Sequence, residues 1–170
     1  RLETDRLLLR DWRDEDIDDF HRLGSDPLVM RTLGPLMARE QTAALIARLQ
    51  QHAENFGYTF WPVERVQDAR VIGWTGLIRS KVPAIEDEIE IGWRLASDCW
   101  RQGYAWEAAA AVLEWARNQK LSNGIVAITA AINERSRLLM ERLHMVHRPE
   151  RDFDHPGVAP DNPLQPHVVY

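Results

Sequence analysis

The sequence predicts an α+β fold of mixed α/β character, in which helices flank a central twisted mixed β-sheet. Two observations carry this prediction. Short segments rich in aromatic and β-branched residues recur along the chain, and helical patterns of apolar residues separate them. No repeat and no low-complexity linker divides the 170 residues, so we expect a single domain over residues 1–170.

Composition and charge exclude several classes of protein. The chain is 45% hydrophobic and 28% charged, as globular proteins are. No stretch approaches the ~20 consecutive apolar residues of a membrane span, and no basic-then-apolar leader opens the chain, so we expect a cytoplasmic protein without a membrane partner. The formal net charge of −5 argues against nucleic acid as a partner. The chain starts at Arg1 rather than at a methionine, and we expect both ends to be trimmed.

The first part of the chain reads as a strand followed by helices. Leu7 and Leu9 alternate with other residues and predict one face of a first strand. Segment 13–23 predicts a helix, because acidic residues in a first turn complement the helix dipole. Apolar residues recur at helical spacing over 39–56, and Gly57 stands where a C-terminal cap belongs.

Three strands are predicted next, over residues 58–64, 71–79 and 88–95. Pro62 lies inside the first of them and cannot donate a backbone hydrogen bond, which favours an edge position or a bulge.

The last third returns to helices and strands. An alanine-rich helix is expected from Tyr104 to about Lys120, then a strand over 124–132 and a helix over 134–143. The tail, rich in Pro, Asp and His, predicts a loop that ends in a strand over 167–170.

One segment joins a predicted strand to a predicted helix through a short loop that contains Gly103. Successive backbone N–H groups at a helix N-terminus point outward at the positive end of the dipole, which is a natural seat for a pyrophosphate. Gly103 permits close backbone approach, Ala105 leaves room for a ligand, and Arg101 and Gln102 add donors. From the residues alone, an anion-binding loop and an ordinary helix start are both open.

Three motifs, which follow one another in the family's order, resemble the GNAT superfamily of N-acetyltransferases, in the branch that includes the RimJ/RimL ribosomal-protein acetyltransferases. The loop WRQGYAWEA resembles W-G-K-G-Y-A-T-E-A, and the strand EIGWRL resembles E-I-G-Y/W-x-L. The helix NERSRLLMERLHM resembles N-x-x-S-x-x-x-M/L-E-K-L-G-M/F. The opening LETDRLLLRDWRDEDIDDF matches too, so the resemblance covers nearly the whole chain. It implies a GNAT fold that transfers acetyl directly from acetyl-CoA to a primary amine in a ternary complex.

The resemblance also implies where acetyl-CoA is bound. Its pyrophosphate would accept from backbone donors at Arg101, Gln102, Gly103, Tyr104 and Ala105. Its pantetheine arm would be lined by Trp93, Arg94 and Leu95, and its thiol end would lie near Asn133 and Ser136. Asn133 also suits the N-cap of the helix that begins there.

Glu90 is the candidate catalytic base. It lies at the family's E-I-G position, and strand alternation places it on one face with Glu88 and Gly92. The reaction needs a free amine, so we expect Glu90 to deprotonate or orient the amine, with burial raising its pKa. The alternative is an exposed strand carboxylate.

The chain departs from the family pattern at two positions. Met140 stands where many GNAT enzymes have a tyrosine that protonates the leaving thiolate, so Ser136 is the candidate catalytic substitute. His144 replaces a glycine that would tolerate a left-handed conformation.

The acceptor is expected to be a small-molecule or peptide amine, including a protein N-terminus. The protein itself is expected to be a monomer or a homodimer. Acidic residues such as Glu86, Asp87 and Glu88 would attract a cationic acceptor or simply form a solvated surface. The alternatives are a non-catalytic acyl-CoA-binding module and transfer of a longer acyl group. Cys99, the single cysteine, is expected to be a small semi-buried thiol in a reducing compartment, and no metal site is predicted.

Overall fold

The computed structural model describes residues 1–121 and 124–170. Its strands are β1 (Leu2–Glu3), β2 (Leu7–Leu9), β3 (Phe60–Arg65), β4 (Arg70–Arg79), β5 (Ile89–Leu95), β6 (Ile128–Ala130), β7 (Phe153–Asp154) and β8 (Pro166–Val169). Its α-helices are α1 (Asp16–Gly24), α2 (Pro27–Met30), α3 (Arg39–Phe56), α4 (Tyr104–Asn118) and α5 (Glu134–Arg142). Short 3₁₀ turns cover Pro83–Ile85, Ser97–Cys99 and Pro149–Arg151.

The strands form two sheets that meet at one junction. Strands β1 to β5 form an antiparallel sheet in chain order, and β6, β8 and β7 form a second one in that order. Val126 joins them in parallel to β5: Ile91 N–H donates to the Val126 carbonyl at 2.8 Å, and Val126 N–H donates to the Ile89 carbonyl at 2.9 Å. Past Ile91 the described parts of the two strands exchange no further backbone hydrogen bonds, so a gap opens between their ends. The predicted mixed sheet is confirmed.

Helices cover both faces of the five-stranded sheet. Residues of β2 to β5 pack on one side against α4, whose alanines let its backbone approach closely; the buried residues of that helix are Tyr104, Ala108, Ala109, Val112 and Ala116. Under α1 and α3, on the other side, a second cluster contains Trp12, Phe20, Ile46, Leu49, Phe60 and Trp74. The helical stripes expected from the sequence are therefore the faces that are buried, except at the end of α3, where Phe56 is exposed.

Pro62 lies in the interior of the sheet. Strand β3 pairs with both β2 and β4, so the edge position is wrong. The register against β4 shifts between Val63 and Glu64, so the predicted bulge is present and begins one residue after Pro62. The missing N–H of Pro62 is tolerated because β2 stops at Leu9, which is paired with Val63.

Two predictions about the later strands need correction. The expected strand over 124–132 is shorter, since regular pairing starts at Ile128 and Val126 forms an isolated bridge. Phe153, expected in a loop, begins strand β7, because Phe153 and Asp154 pair with the edge of β8.

Helix α5 is followed by a left-handed residue, although histidine stands there in place of the family's glycine. His144 has φ 62°, and Met145 N–H donates to the Met140 carbonyl at 3.0 Å, which closes a Schellman-type cap. None of the helices in the described ranges is long and apolar enough to cross a membrane.

Candidate functional site

A groove of about 640 Å³ occupies the gap between the ends of β5 and β6. Its walls come from the end of β5, the loop before α4, the start of α5 and the segment around α2. All of the predicted coenzyme-binding residues except Gln102 line it: Trp93, Arg94, Leu95, Arg101, Gly103, Tyr104, Ala105, Asn133 and Ser136. The fold thus brings together residues that lie more than forty positions apart.

The loop before α4 presents free backbone donors. Arg101 and Gly103 both have left-handed backbone, with φ 61° and 85°. The first intrahelical bond of α4 runs from Glu107 N–H to the Gly103 carbonyl. In the chain as described, none of the N–H groups from Arg101 to Trp106 donates to a protein acceptor. Together with the positive end of the α4 dipole, they form a site suited to an anion.

A clamp from the start of the chain, formed by Thr4, Arg6 and Glu107, holds this loop. Thr4 Oγ1 donates to Glu107 Oε1 at 2.6 Å, and Arg6 Nε donates to Glu107 Oε2 at 2.7 Å. Arg6 also donates to the Gln102 carbonyl at 3.0 Å and lies over the Tyr104 ring, 4.5 Å from its centroid. Both carboxylate oxygens of Glu107 are therefore engaged by side chains, and the loop N–H groups stay free. Sequence reasoning missed this clamp, although all three residues belong to matched motifs.

Ser136 sits at the centre of a hydrogen-bonded triad in the groove. Its Oγ accepts from Trp93 Nε1 at 3.3 Å and from Asn133 Nδ2 at 3.1 Å. Asn133 is 6% exposed, donates to Thr129 Oγ1 at 2.9 Å and accepts from Ser136 N–H at 3.4 Å, which is the predicted N-cap. With two bonds accepted, the Ser136 hydroxyl keeps its own proton to donate to a ligand.

Glu90 lies on the face of β5 that is turned toward α1 and α3, outside the groove lining. Its Oε2 accepts from Ser80 Oγ at 2.9 Å, and Ser80 is fully buried. Burial raises the pKa of Glu90, while the hydrogen bond from Ser80 opposes that rise. The expected rise is present, and Glu90 is a partly buried carboxylate rather than an exposed one.

Arg94 shares the face of Glu90 and not that of Trp93. Its guanidinium lies 5.5 Å from the centroid of the Trp74 ring, and its Nη1 lies 3.6 Å from Met37 Sδ. Trp93 points to the opposite face, where it meets Ser136. The groove therefore reaches both faces of β5, with Arg94 on one side and Trp93 on the other.

Comparison with known proteins decides the family. The sequence profile of the Acetyltransferase (GNAT) domain matches residues 6–146. This chain belongs to the GNAT family. It is an acetyltransferase, and the resemblance to the GNAT superfamily is confirmed. An uncharacterized protein of Bacillus subtilis (strain 168), YkkB, is 29% identical over 146 residues, which are 85% of this chain and 84% of YkkB.

Solved acetyltransferases share the fold of this GNAT chain. An acetyltransferase from Agrobacterium tumefaciens str. C58 superposes with a TM-score of 0.77 at 22% identity, covering 99% of this chain and 92% of that one. RimL, a ribosomal L7/L12 alpha-N-protein acetyltransferase in complex with coenzyme A, superposes with a TM-score of 0.78 at 14% identity. The superposition covers 98% of this chain and 93% of RimL. The expected GNAT fold is therefore confirmed.

The GNAT chain leaves the tyrosine position without a hydroxyl. Met140 is 2% exposed and packs in the core beneath α5. Ser136, one turn earlier on the same helix, is the hydroxyl of α5 that faces the groove.

The acidic segment before β5 is largely paired within the GNAT chain. Asp87 accepts from Arg79 at 3.1 Å and from Lys81 at 3.3 Å, and Glu88 accepts from Arg151 at 3.3 Å. These local cations favour the surface alternative over attraction of a cationic acceptor.

Cys99 is 1% exposed, and burial, followed by the nearby Asp98, raises the pKa of its thiol, as suits an inert thiol. No group of three or more His, Cys, Asp or Glu side chains in the described ranges could hold a metal ion.

Proposed function

We propose that this GNAT enzyme binds acetyl-CoA in the groove between β5 and β6 and transfers acetyl directly to a primary amine in a ternary complex. The observation that carries the proposal is the row of free N–H groups from Arg101 to Trp106 at the N-terminus of α4. Bound coenzyme A in the RimL structure, which has the same fold, supports the choice of ligand.

The groove has the charge that a pyrophosphate and a ribose phosphate require. Besides Arg94, which lies on the opposite face of β5 from Trp93, its lining arginines are Arg31, Arg101, Arg135 and Arg142. In the described part of the chain none of them forms an ion pair. Arg135 stacks on Trp100, 4.2 Å from its ring centroid, which places a cation beside the loop. Unpaired arginines around a loop of free N–H groups favour a polyanionic ligand.

The pantetheine arm would lie along the apolar part of the groove, beside Trp93 and Leu95. Gly103 shapes the loop at its end, since its φ of 85° is a conformation that side chains disfavour. A Cβ there would also stand 3.2 Å from Arg6 Nη2. The residues present therefore fit coenzyme A.

Bound acetyl-CoA supplies a thioester carbonyl carbon to which a neutral amine adds, and the C–S bond then breaks with the thiolate as leaving group. In our proposal Glu90 takes the proton from the amine, directly or through water, or holds the amine in line. Its raised pKa makes Glu90 a stronger base than an exposed glutamate. Ser136 donates a hydrogen bond to the leaving sulfur or developing oxyanion, and Trp93 and Asn133 orient its hydroxyl.

We further infer that the enzyme belongs to the RimJ/RimL-type branch, as a single domain over residues 1–170. The motifs quoted above and the fold shared with RimL support this placement. The acceptor class is then a peptide or small-molecule amine.

Calorimetric titration with acetyl-CoA tests the proposal. We expect binding by the wild type and loss of binding in Gly103→Trp, because the indole side chain would occupy the space in front of the free N–H groups where the pyrophosphate would bind. Gly57→Trp is the matched control, since Gly57 is also a left-handed cap, with φ 78°, but lies outside the groove. Absence of binding by folded wild type would contradict the proposal.

Turnover is then measured by thiol release with a panel of amines. Release that depends on the amine supports acetyl transfer, and a Glu90→Gln variant should lower kcat by about 100-fold or more. Binding without release from any amine would favour the acyl-CoA-binding alternative, and unchanged turnover in Glu90→Gln would exclude its role as base.

A further inference from the structure

Two buried donors without acceptors lie on neighbouring strands, and one of them, Arg94, lines the groove. Among the residues that the structure describes, the buried side-chain nitrogen atoms with no hydrogen-bond partner are His21 Nδ1, Trp74 Nε1 and Arg94 Nε. Trp74 and Arg94 are register partners on β4 and β5, and the guanidinium of Arg94 lies over the Trp74 ring. Buried donors are almost always satisfied in folded proteins, so an adjacent pair left open indicates an acceptor that is not part of the chain.

Arg94 also lacks a counter-charge. Within the described ranges no carboxylate lies within ion-pair distance of its guanidinium, and its nearest polar contact is Met37 Sδ. Burial lowers its pKa to about 10. By contrast, the buried Arg10 contacts both Asp16 and Glu64. A partly buried cation without a partner destabilises the free protein, which a bound anion would reverse.

Arg94 belongs to strand β5 and not to the loop before α4 that presents the free N–H groups. It lies on the same face of β5 as Glu90, four residues along, so their Cα atoms are about 13 Å apart at the rise of a β-strand. The carboxylate of Glu90 is turned toward Ser80, and the stacked rings of Phe60 and Trp74 cover Gly92, the residue between Glu90 and Arg94 on that face. A molecule that lies across these rings with its amine toward Glu90 can present a second group to Arg94.

We propose that the acceptor amine carries a carboxylate, as an amino acid or a peptide with a free C-terminus does, and that Arg94 and the indole N–H of Trp74 bind this carboxylate. A planar guanidinium and an adjacent N–H donor match the two oxygens of a carboxylate. The inference rests on the proposed acetyl transfer and names the class of its acceptor. Arg94 is here a specificity-determining residue that acts on substrate binding.

The test compares amines that differ only in the carboxylate. L-amino acids and dipeptides are assayed with acetyl-CoA against their C-terminal amides and the corresponding decarboxylated amines. For the best acid we expect kcat/KM to exceed that of its amide by about tenfold or more, the range of a charge-assisted hydrogen bond. In Arg94→Met this ratio should fall to about one, chiefly through KM, while Arg94→Lys retains part of it.

Controls separate this proposal from a role of Arg94 in coenzyme binding. Arg48→Met changes an exposed arginine of α3 and should leave the ratio intact. Arg94→Met should fold at least as stably as wild type, because it removes an unpaired and partly buried charge, and should bind acetyl-CoA with unchanged affinity.

Equal kcat/KM for acids and amides in an active wild type would overturn this inference and leave acetyl transfer standing. The same holds if Arg94→Met weakens acetyl-CoA binding and leaves the acid-to-amide ratio unchanged, since the anion would then be the coenzyme. Failure of the wild type to bind acetyl-CoA would instead overturn the proposed function, and this inference with it.

Discussion

The hydroxyl of Ser80 donates a hydrogen bond of 2.9 Å to the carboxylate of Glu90, and both lie under the helices that cover one face of the sheet. The bond stabilises the ionised form of Glu90, whereas burial stabilises the neutral form. These two effects act on the same proton, so the hydroxyl helps to determine the pH at which Glu90 is ionised.

Removing the hydroxyl should shift the pH dependence of turnover. A base acts only when it is deprotonated, so activity falls as the pH drops through the pKa of Glu90. In Ser80→Ala that pKa rises further, and the acid limb of the kcat profile should move to higher pH, with activity at alkaline pH retained. Rate measurements across pH check this, with Ser25→Ala at an exposed hydroxyl as control. An unshifted limb would show that Glu90 is not the titrating base.

Ser136 should act on the chemical step more than on binding. In Ser136→Ala the donor to the leaving group is lost, and we expect kcat to fall about tenfold while the affinity for acetyl-CoA changes little. Thr129→Val is the control, because it removes a hydroxyl that contacts Asn133 but does not line the groove. A large loss of coenzyme affinity with unchanged kcat would assign Ser136 to binding alone.

A buried ion cluster, Arg10 with Asp16 and Glu64, should dominate the stability of the first sheet. Arg10 donates to both oxygens of Asp16 at 2.7 Å and to Glu64 at 2.7 Å. Arg10→Ala leaves two carboxylates unpaired, so we expect the free energy of unfolding to drop by about 3–5 kcal/mol in urea titration. Arg39→Ala, which breaks the exposed pair with Asp18, should cost at most about 1 kcal/mol. Similar losses in both variants would contradict this account.

Replacing His144 by glycine should stabilise the folded protein. Its φ of 62° is a conformation that glycine adopts at little cost, so His144→Gly should raise the free energy of unfolding by about 1 kcal/mol. His144→Ala keeps the backbone strain and serves as the control. If the two variants have equal stability, the imidazole rather than the backbone determines the effect.

Local patterns predicted much of the fold and groove. The alanine stripe of α4, the cap at Asn133 and the loop at Gly103 each depend on neighbouring residues, so periodicity and motif spacing located them. The side of β5 on which Arg94 lies was also within reach, because strand alternation separates it from Trp93. The family resemblance instead assigned both Trp93 and Arg94 to the pantetheine arm.

Other features depend on partners far apart in sequence. The bond from Arg6 to Glu107 joins residues 101 positions apart, and Arg10 meets Glu64 over 54 positions. No periodic pattern reports such pairs. Strand β7 is two residues long and exists through its pairing with β8, which a sequence window cannot reveal.

The clamp at Glu107 couples two segments that lie far apart in the sequence. Thr4 and Arg6 satisfy a carboxylate that would otherwise lie uncompensated beside the loop before α4. A substitution at any one of these three positions is therefore neutral only when another changes with it. Among relatives of this chain the three should covary, so that the turn between β1 and β2 and the start of α4 evolve as one unit.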